Sequence, residues 1–182
     1  MQFRLVPHPH TPCEFIRSLT VNLSRASASD VTLAYRVDGD IARLRIPPPR
    51  PPLRTDGLWR ETCFEAFFRP DTGSTYSEFN FAPSRAWAAY RFSSYRQGMR
   101  PVEPLQSPLI ACTQDDRQLQ VNARLHTVLL TGNQQVALTA VLQDAEGQIT
   151  YWALAHAPGG KPDFHNAYGF AATLAAQQPG LT

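Results

Sequence analysis

Short runs of alternating apolar and polar residues recur along the chain, separated by turn-forming residues. In residues 17–23, for example, Leu19, Val21 and Leu23 fall on one side of an extended chain. A period of two is the signature of a half-buried strand, and many such runs at regular spacing are typical of two packed antiparallel sheets. The pattern therefore predicts an all-β fold, an antiparallel β-sandwich with strands over residues 17–23, 31–37, 75–83, 86–92, 109–113, 118–125, 135–144 and 149–157.

Turn and proline signals predict how these strands are connected. An Asp-Gly-Asp turn predicts a hairpin between residues 31–37 and 41–46. The proline-rich residues 47–54 lack most backbone donors, so we interpret them as a fixed loop at the rim of the sheet, with a docking motif for another protein as the alternative. Residues 85–95 fit either a strand or a helix, and residues 166–178 predict a short C-terminal helix or an irregular tail.

The stretch GLWRETCFEAFF, residues 57–68, combines two glutamates with a tryptophan and several other aromatic residues. Read as one strand, it places Phe64 and Phe68 on a core face and the glutamates beside the tryptophan on the other face. Residues 75–83 alternate in the same way, with Phe79 and Phe81 on one side. If the two strands pair, a single sheet face carries an aromatic, acidic and amide set: Trp59, Glu61, Glu65, Glu78 and Asn80.

This mixed face has two explanations. Sugar rings stack their C–H faces on aromatic planes, and their hydroxyls bond to acids, amides and arginines, so the set suits a ligand groove. Alternatively, the acids belong to a salt-bridged lattice on an exposed face. The sequence offers four nearby arginines for either role: Arg50, Arg54, Arg91 and Arg96.

Composition narrows the classes of function. The chain has 182 residues, the length of one domain covering 1–182, and a formal net charge of +2 in which Lys161 is the only lysine. Neither a nucleic-acid stripe nor a polybasic membrane segment is expected, and no run is apolar enough to span a membrane. Three widely spaced cysteines form no disulfide or zinc pattern, and the N-terminus lacks an apolar leader, so we expect a cytoplasmic protein.

The middle of the chain resembles a known group of domains. Residues 58–92 read LWRETCFEAFFRPDTGSTYSEFNFAPSRAWAAYRF. They are similar to DOMON-like β-sandwich domains related to family 9 carbohydrate-binding modules, with a Trp, an acid-aromatic strand, a turn and a Tyr-x-Glu-Phe-x-Phe strand. The late GGKPDFHNAYGF resembles the closing segment of bacterial members. The resemblance implies a jelly-roll-like sandwich that binds sugars or haem and has no catalytic role of its own.

The resemblance also implies roles for particular residues. In the sugar-binding modules two aromatic rings clamp a terminal sugar, while a carboxylate, an arginine and amides bond its hydroxyls. Trp59 falls on the first clamp, Glu65 on the carboxylate and Asn80 near the amide. The second clamp would come from the C-terminal segment, where Tyr168 or Phe164 stands in place of a tryptophan. Arg91 or Arg96 is expected as the donor, and His165 is expected to close the site with Tyr168.

Only isolated residues in the sequence suit a haem or a metal ion. A haem would need axial ligands such as Met99 with one of three histidines, His126, His156 or His165, and no C-x-x-C-H motif accompanies them. His8 and His10 resemble a metal pair but are typical of a solvated terminus. The aspartates at 38, 40, 115 and 116 suit turns better than a calcium site.

We therefore expect a noncatalytic binding module for a carbohydrate or sugar derivative, with no resident cofactor. Three alternatives stay open at this stage. They are a haem-binding DOMON domain, a small enzyme that uses Glu65 or His165, and a sandwich with a structural or protein-interaction role.

Overall fold

A computed structural model describes residues 1–102 and 106–177. In this part of the chain twelve β-strands are joined by turns and four 3₁₀ turns, and every pair of strands is antiparallel. The strands are β1 (Gln2–Pro7), β2 (Ile16–Arg25), β3 (Asp30–Gly39), β4 (Cys63–Pro70), β5 (Tyr76–Phe81), β6 (Trp87–Phe92), β7 (Arg100–Pro101), β8 (Leu109–Gln114), β9 (Gln118–His126), β10 (Gln134–Gln143), β11 (Ile149–Ala153) and β12 (Ala172–Leu174). The 3₁₀ turns are Ile41–Arg43, Leu58–Arg60, Val128–Leu130 and Ala167–Gly169.

The strands form one curled antiparallel sheet in the order β7-β6-β5-β4-β10-β11-β1-β2-β3-β9-β8, with β12 on the edge of β10. Strand β1 joins the two halves, because its first residues pair with β2 and its last two, Val6 and Pro7, pair with β11. The all-β antiparallel prediction is confirmed.

The main core lies between the two halves of the curled sheet. Leu19 and Tyr35 come from β2 and β3, whereas Phe64 and Phe79 come from β4 and β5, and all four are fully buried. The Tyr35 ring packs on Phe64 with centroids 5.0 Å apart, and its hydroxyl donates to the Glu65 carbonyl at 2.8 Å. Packing of this kind buries the predicted apolar face of each strand, as an aligned sandwich requires.

A second, smaller apolar cluster lies on the other face of β4, β5 and β6. It contains Phe67, Tyr76, Ala88, Tyr90, Phe92, Ala137 and Phe170. Leu58, from the turn before β4, and Phe164, from the C-terminal segment, pack against it. These two segments cover part of a sheet face that would otherwise meet solvent, and they leave a hollow between them.

The predicted hairpin through residues 41–46 is wrong. Ile41–Arg43 form a 3₁₀ turn, and Leu44 makes only an isolated bridge to Asp144. The reason is that both edges of β3 are already occupied, one by β2 and the other by β9. The prolines that follow also lack the N–H groups needed to extend a ladder.

Two further boundaries differ from the sequence expectation. Residues 57–62 are not part of a strand: Gly57 adopts φ 78°, a 3₁₀ turn covers Leu58–Arg60, and β4 begins only at Cys63. The C-terminal segment contains a 3₁₀ turn and the three-residue strand β12, while the predicted end at residue 178 lies outside the described residues. Trp87–Phe92, by contrast, form a strand, which is one of the two structures that the sequence allowed for residues 85–95.

Over residues 1–102 and 106–177, no helix is long and apolar enough to cross a membrane.

Candidate functional site

The candidate site is built on the face of β4, β5 and β10 that points away from the main core. Alternation along β4 places Glu65 on this face, and the strand register sets it directly opposite Asn80 of β5 and Thr139 of β10. Glu78 lies two residues before Asn80, so it is the diagonal neighbour of Glu65. Diagonal neighbours on paired strands lie about 7–8 Å apart at their Cα atoms, close enough for long side chains to interact.

A cavity of about 350 Å³ opens above these acids. Its floor includes Glu65 and Glu78, and aromatic rings from four separate segments form much of its wall. The lining residues are Trp59, Glu65, Glu78, Phe92, Arg96, Met99, Val141, Tyr151, Pro162, Phe164 and His165. The volume and the mixture of apolar walls with a few polar groups are those of small-molecule sites.

Trp59 reaches this cavity from the 3₁₀ turn Leu58–Arg60. Its indole is 38% exposed, and it packs edge-to-face on Tyr90 with ring centroids 6.0 Å apart. Tyr90 is held in turn by a 2.6 Å hydrogen bond from its hydroxyl to Asp56. The indole is thus supported from below while part of its surface remains open for a ligand.

The two acids are buried and incompletely paired. Glu65 is 2% exposed, and Thr139 donates to its Oε2 at 3.2 Å. Its Oε1 has no hydrogen-bond partner among the residues that the structure describes. Burial, and then the charge of Glu78, raise the pKa of Glu65 well above its ordinary value of 4.5. Burial also raises the pKa of Glu78 from 4.5 to about 7, opposed by the hydrogen bond from Asn80 and the charge of Arg96. Low-dielectric surroundings disfavour the ionised form of both groups.

Amide and thiol groups complete the floor. Asn80 is fully buried, and its Nδ2 donates to Glu78 Oε1 at 2.7 Å. The Cys63 thiol lies 3.7 Å from the Asn80 Oδ1 and is fully buried. The Asn80 carboxamide therefore links the two neighbouring strands and sets the orientation of the Glu78 carboxyl.

His165 stands on the opposite wall. Its Nδ1 lies 2.8 Å from the Tyr76 hydroxyl, and its Nε2 lies 3.9 Å from Glu78 Oε2. Burial, together with the charge of Arg96, lowers the pKa of His165 from 6.5 to about 4, so the ring is neutral at pH 7. A hydrogen on Nε2, with the Tyr76 hydroxyl donating to Nδ1, satisfies both contacts.

Arg96 locks the loop that carries His165. Its guanidinium donates to Asp163 at 2.8 Å, and the Tyr95 hydroxyl donates to the other oxygen of the same carboxyl at 2.6 Å. Asp163 also accepts the backbone N–H of His165 at 3.2 Å. Arg96 itself adopts φ 53°, a conformation uncommon for residues with a side chain, and its N–H donates to the Tyr76 hydroxyl.

Five of the nine predicted site residues line the cavity: Trp59, Glu65, Glu78, Arg96 and His165. Asn80 supports the floor from beneath. Three lie elsewhere. Glu61 is exposed beside the proline-rich loop, Arg91 faces the opposite side of β6 from Tyr90, and Tyr168 is 59% exposed outside the cavity.

Sequence reasoning missed several wall residues. Tyr151 and Val141 come from β11 and β10, strands whose alternation was recognised but whose neighbours were not. Thr139 belongs to the same face and bonds Glu65. The sequence signal for these residues is the spacing of Thr139 and Val141, which places both on one face of β10. The local pattern does not indicate that β10 pairs with β4.

The residues that the sequence suggested for metal or haem chemistry occupy defined positions in the structure. His8 is buried, not part of a solvated terminus, and its ring packs edge-to-face on His10 and His156. Within the described ranges, no group of three or more His, Cys, Asp or Glu residues is arranged to hold a metal ion. Met99 and His165 both line the cavity. Trp87 and Trp152 are buried core residues.

Comparison with known proteins supports the fold assignment. No protein-family model matches the sequence, and no curated protein matches it either. Among solved structures, a candidate carbohydrate-binding protein from Bacteroides uniformis ATCC 8492 is similar with a TM-score of 0.63 and 11% identity, over 96% of this chain and 87% of that one. A family 9 carbohydrate-binding module from Caldicellulosiruptor kristjanssonii, solved with glucose, is similar with a TM-score of 0.56 and 8% identity, over 91% and 79%. At these identities the likeness concerns the fold.

Proposed function

We propose that this protein is a noncatalytic carbohydrate-binding module whose ligand occupies the cavity between Trp59 and His165. The observation that carries the proposal is the unpartnered Oε1 of Glu65, a buried acceptor on a cavity floor beneath aromatic walls. A buried polar atom without a partner is costly, and a ligand hydroxyl would satisfy it.

The remaining groups suit a sugar in the same way. Trp59 offers an indole surface for the apolar C–H face of a pyranose ring, and Tyr151 and Phe164 offer further apolar contact. Glu78 accepts and His165 Nε2 donates near the same space. A cavity of about 350 Å³ lies near the lower limit for ligand sites and suits one or two sugar units.

The similar folds of the Bacteroides uniformis protein and the glucose-bound family 9 module are consistent with this proposal. The DOMON-like relation suggested by the sequence remains part of the proposal.

Isothermal titration against a panel of mono- and disaccharides tests the proposal. We expect binding to at least one sugar, and we expect Trp59→Ala to weaken it by roughly 5- to 30-fold, equivalent to about 1–2 kcal/mol of aromatic contact. Tyr168→Ala removes an exposed ring outside the cavity and is the matched control. No heat with any sugar, or equal loss in both variants, would argue against the proposal.

Two further readouts distinguish the alternatives. An absorption band in the Soret region of the purified protein would identify haem, for which Met99 and His165 are the candidate ligands on the cavity wall. Release of reducing sugar from a glycoside would identify an enzyme, with Glu65 and Glu78 as the first residues to substitute.

A further inference from the structure

When its two acids are ionised, the cavity floor has more hydrogen-bond acceptors than donors. Glu65 Oε1 is unpartnered, and Glu78 Oε2 has only the distant His165 Nε2 at 3.9 Å. Asn80 donates an amide hydrogen to Glu78 Oε1, and the Asn80 side-chain oxygen lies beside the Cys63 thiol. A sugar hydroxyl brings one donor with its acceptor lone pairs, whereas an ammonium group brings three donors and no acceptor.

Within residues 1–102 and 106–177, neither acid of the floor has a cation in direct contact. Arg96 is the only arginine among these residues that lines the cavity; its charge lowers the pKa of Glu78, but its guanidinium is bonded to Asp163. Lys161, the only lysine in the sequence, is exposed and is not among the lining residues. Two carboxyls in a low-dielectric site are stabilised either by taking up protons or by acquiring a cation.

The walls are suited to a cation as well. Trp59, Tyr151, Phe92 and Phe164 line the same cavity, and the faces of aromatic rings attract an ammonium group. The attraction is largest at sites from which water is excluded, such as one whose floor is buried.

We propose that the ligand is a sugar with a free amino group, a hexosamine, whose ammonium lies between Glu65 and Glu78 while its ring stacks on Trp59. This inference rests on the proposed carbohydrate-binding function and names the class of sugar that the site prefers. A neutral sugar would leave the two acids protonated and would form no ion pair with them. An N-acetylated sugar would lose the charge and add an acetyl group that a floor of acceptors does not favour.

The proposal implies a specific pH dependence. Binding of a cation favours the ionised carboxyls, so affinity rises with pH through the raised pKa of Glu78 and falls again when the sugar amine loses its proton. Five titratable or charged groups act on the two acids from the elements packed against them: Cys63, Tyr76, Tyr90, Arg96 and His165. Tyr35 lies on the core side of β4, where its hydroxyl donates to the Glu65 carbonyl, and Asp163 is paired with Arg96. Tyr76, Tyr90 and the Cys63 thiol are neutral at pH 7, because burial raises the pKa of each.

The experiment compares D-glucosamine, D-glucose and N-acetyl-D-glucosamine by isothermal titration at pH 5 and pH 6.5, in two buffers of different ionisation enthalpy. At pH 6.5 we expect glucosamine to bind at least tenfold more tightly than either competitor, with release of protons from the acids. At pH 5 the preference should shrink to within about threefold. Glu65→Gln and Glu78→Gln keep the size of each side chain, and each should reduce the preference at pH 6.5.

The outcomes separate this inference from the function on which it rests. Equal affinity for glucose and glucosamine, or a preference unchanged by both variants, overturns the amino-sugar inference and leaves carbohydrate binding intact. Absence of binding to all three sugars and to the wider panel overturns both. Circular dichroism and the thermal unfolding midpoint of each variant distinguish a lost charge from a lost fold.

Discussion

Replacing Glu78 with glutamine tests the electrostatic description of the site without any ligand. Glutamine has nearly the same shape and keeps an oxygen that can accept the 2.7 Å hydrogen bond from Asn80. It cannot ionise. The substitution therefore removes the charge of one buried acid while it preserves the local packing.

The magnitude follows from the pKa of Glu78, which burial raises from 4.5 to about 7. The folded protein then binds more protons than the unfolded chain in this interval, so its free energy of unfolding decreases as the pH rises from 4.5 to about 7. At about 1.4 kcal/mol per pH unit, the loss amounts to about 3 kcal/mol. The Glu78→Gln variant cannot ionise at this position, so it should not lose this stability as the pH rises. In a domain of this size, that corresponds to a difference in melting temperature of roughly 6–12 °C at neutral pH.

His165 acts in the opposite direction over part of the same range. Its pKa is lowered from 6.5 to about 4, so the unfolded chain binds more protons there and His165 increases stability as the pH rises between these values. The wild-type profile is consequently flattened. The difference between wild type and Glu78→Gln at each pH removes the His165 contribution, because His165 is present in both proteins.

Urea denaturation at half-unit intervals from pH 4 to pH 8 measures this difference. As the pH rises across this range, we expect the free energy of unfolding of the variant to increase by about 3 kcal/mol relative to that of wild type. Most of this relative increase should occur below pH 7. Glu146→Gln, at an exposed turn, is the control for loss of one carboxyl. Parallel profiles for wild type and Glu78→Gln would refute the claim that the folded protein holds this acid protonated.

Two further predictions concern the loop at the cavity and the core. Arg96→Ala should weaken sugar binding by roughly tenfold, because the loop that carries Asp163 and His165 loses its 2.8 Å ion pair. Arg91→Ala, on the other face of β6, should leave the calorimetric titration curves unchanged. Equal effects of the two substitutions would contradict the assignment of the two faces. Phe64→Ala should lower the free energy of unfolding by about 3–5 kcal/mol, because the ring is fully buried between the two halves of the sheet, and a loss below 1 kcal/mol in urea denaturation would contradict that placement.

Much of the sheet could be predicted from the sequence because a period of two determines which side of a strand each residue occupies. The alternation in β5 separated Tyr76, Glu78 and Asn80 from Phe79 and Phe81, and the structure has them on opposite faces. The same rule, applied to β6, would have removed Arg91 from the site. Tyr90 and Phe92 are in phase with the cavity face, so the residue between them must point away.

The failures occurred where pairing, not pattern, decides the structure. The pattern of residues 57–68 predicts one strand, but the ladder with β10 ends at Cys63 opposite Val141. Without a partner the preceding residues turn, and this turn lifts Trp59 over Tyr90. Glu61 follows the turn and leaves the site. Tyr151 reaches the cavity only because β11 lies beside β10, a neighbour relation that no local periodicity encodes.

The positions of the arginines distinguish a salt-bridged lattice from a ligand groove on the acidic face. A structural salt-bridge lattice needs a guanidinium against each acid. Among residues 1–102 and 106–177, no arginine nitrogen forms an ion pair within 4.0 Å of Glu65 or Glu78. Arg54 contacts Asp56, and Arg96 contacts Asp163.

The acids therefore contribute no ion-pair energy to the folded state, and their burial lowers stability as the pH approaches 7. Replacing one member of such a pair with a neutral residue should then stabilise the protein, the opposite of what a salt-bridged lattice requires. Groups that cost stability in the free protein are typical of sites that are completed by a ligand. The same residues thus connect the pH dependence of unfolding to the proposed binding site, and a destabilised Glu78→Gln at pH 8 would favour the structural lattice over the ligand cavity.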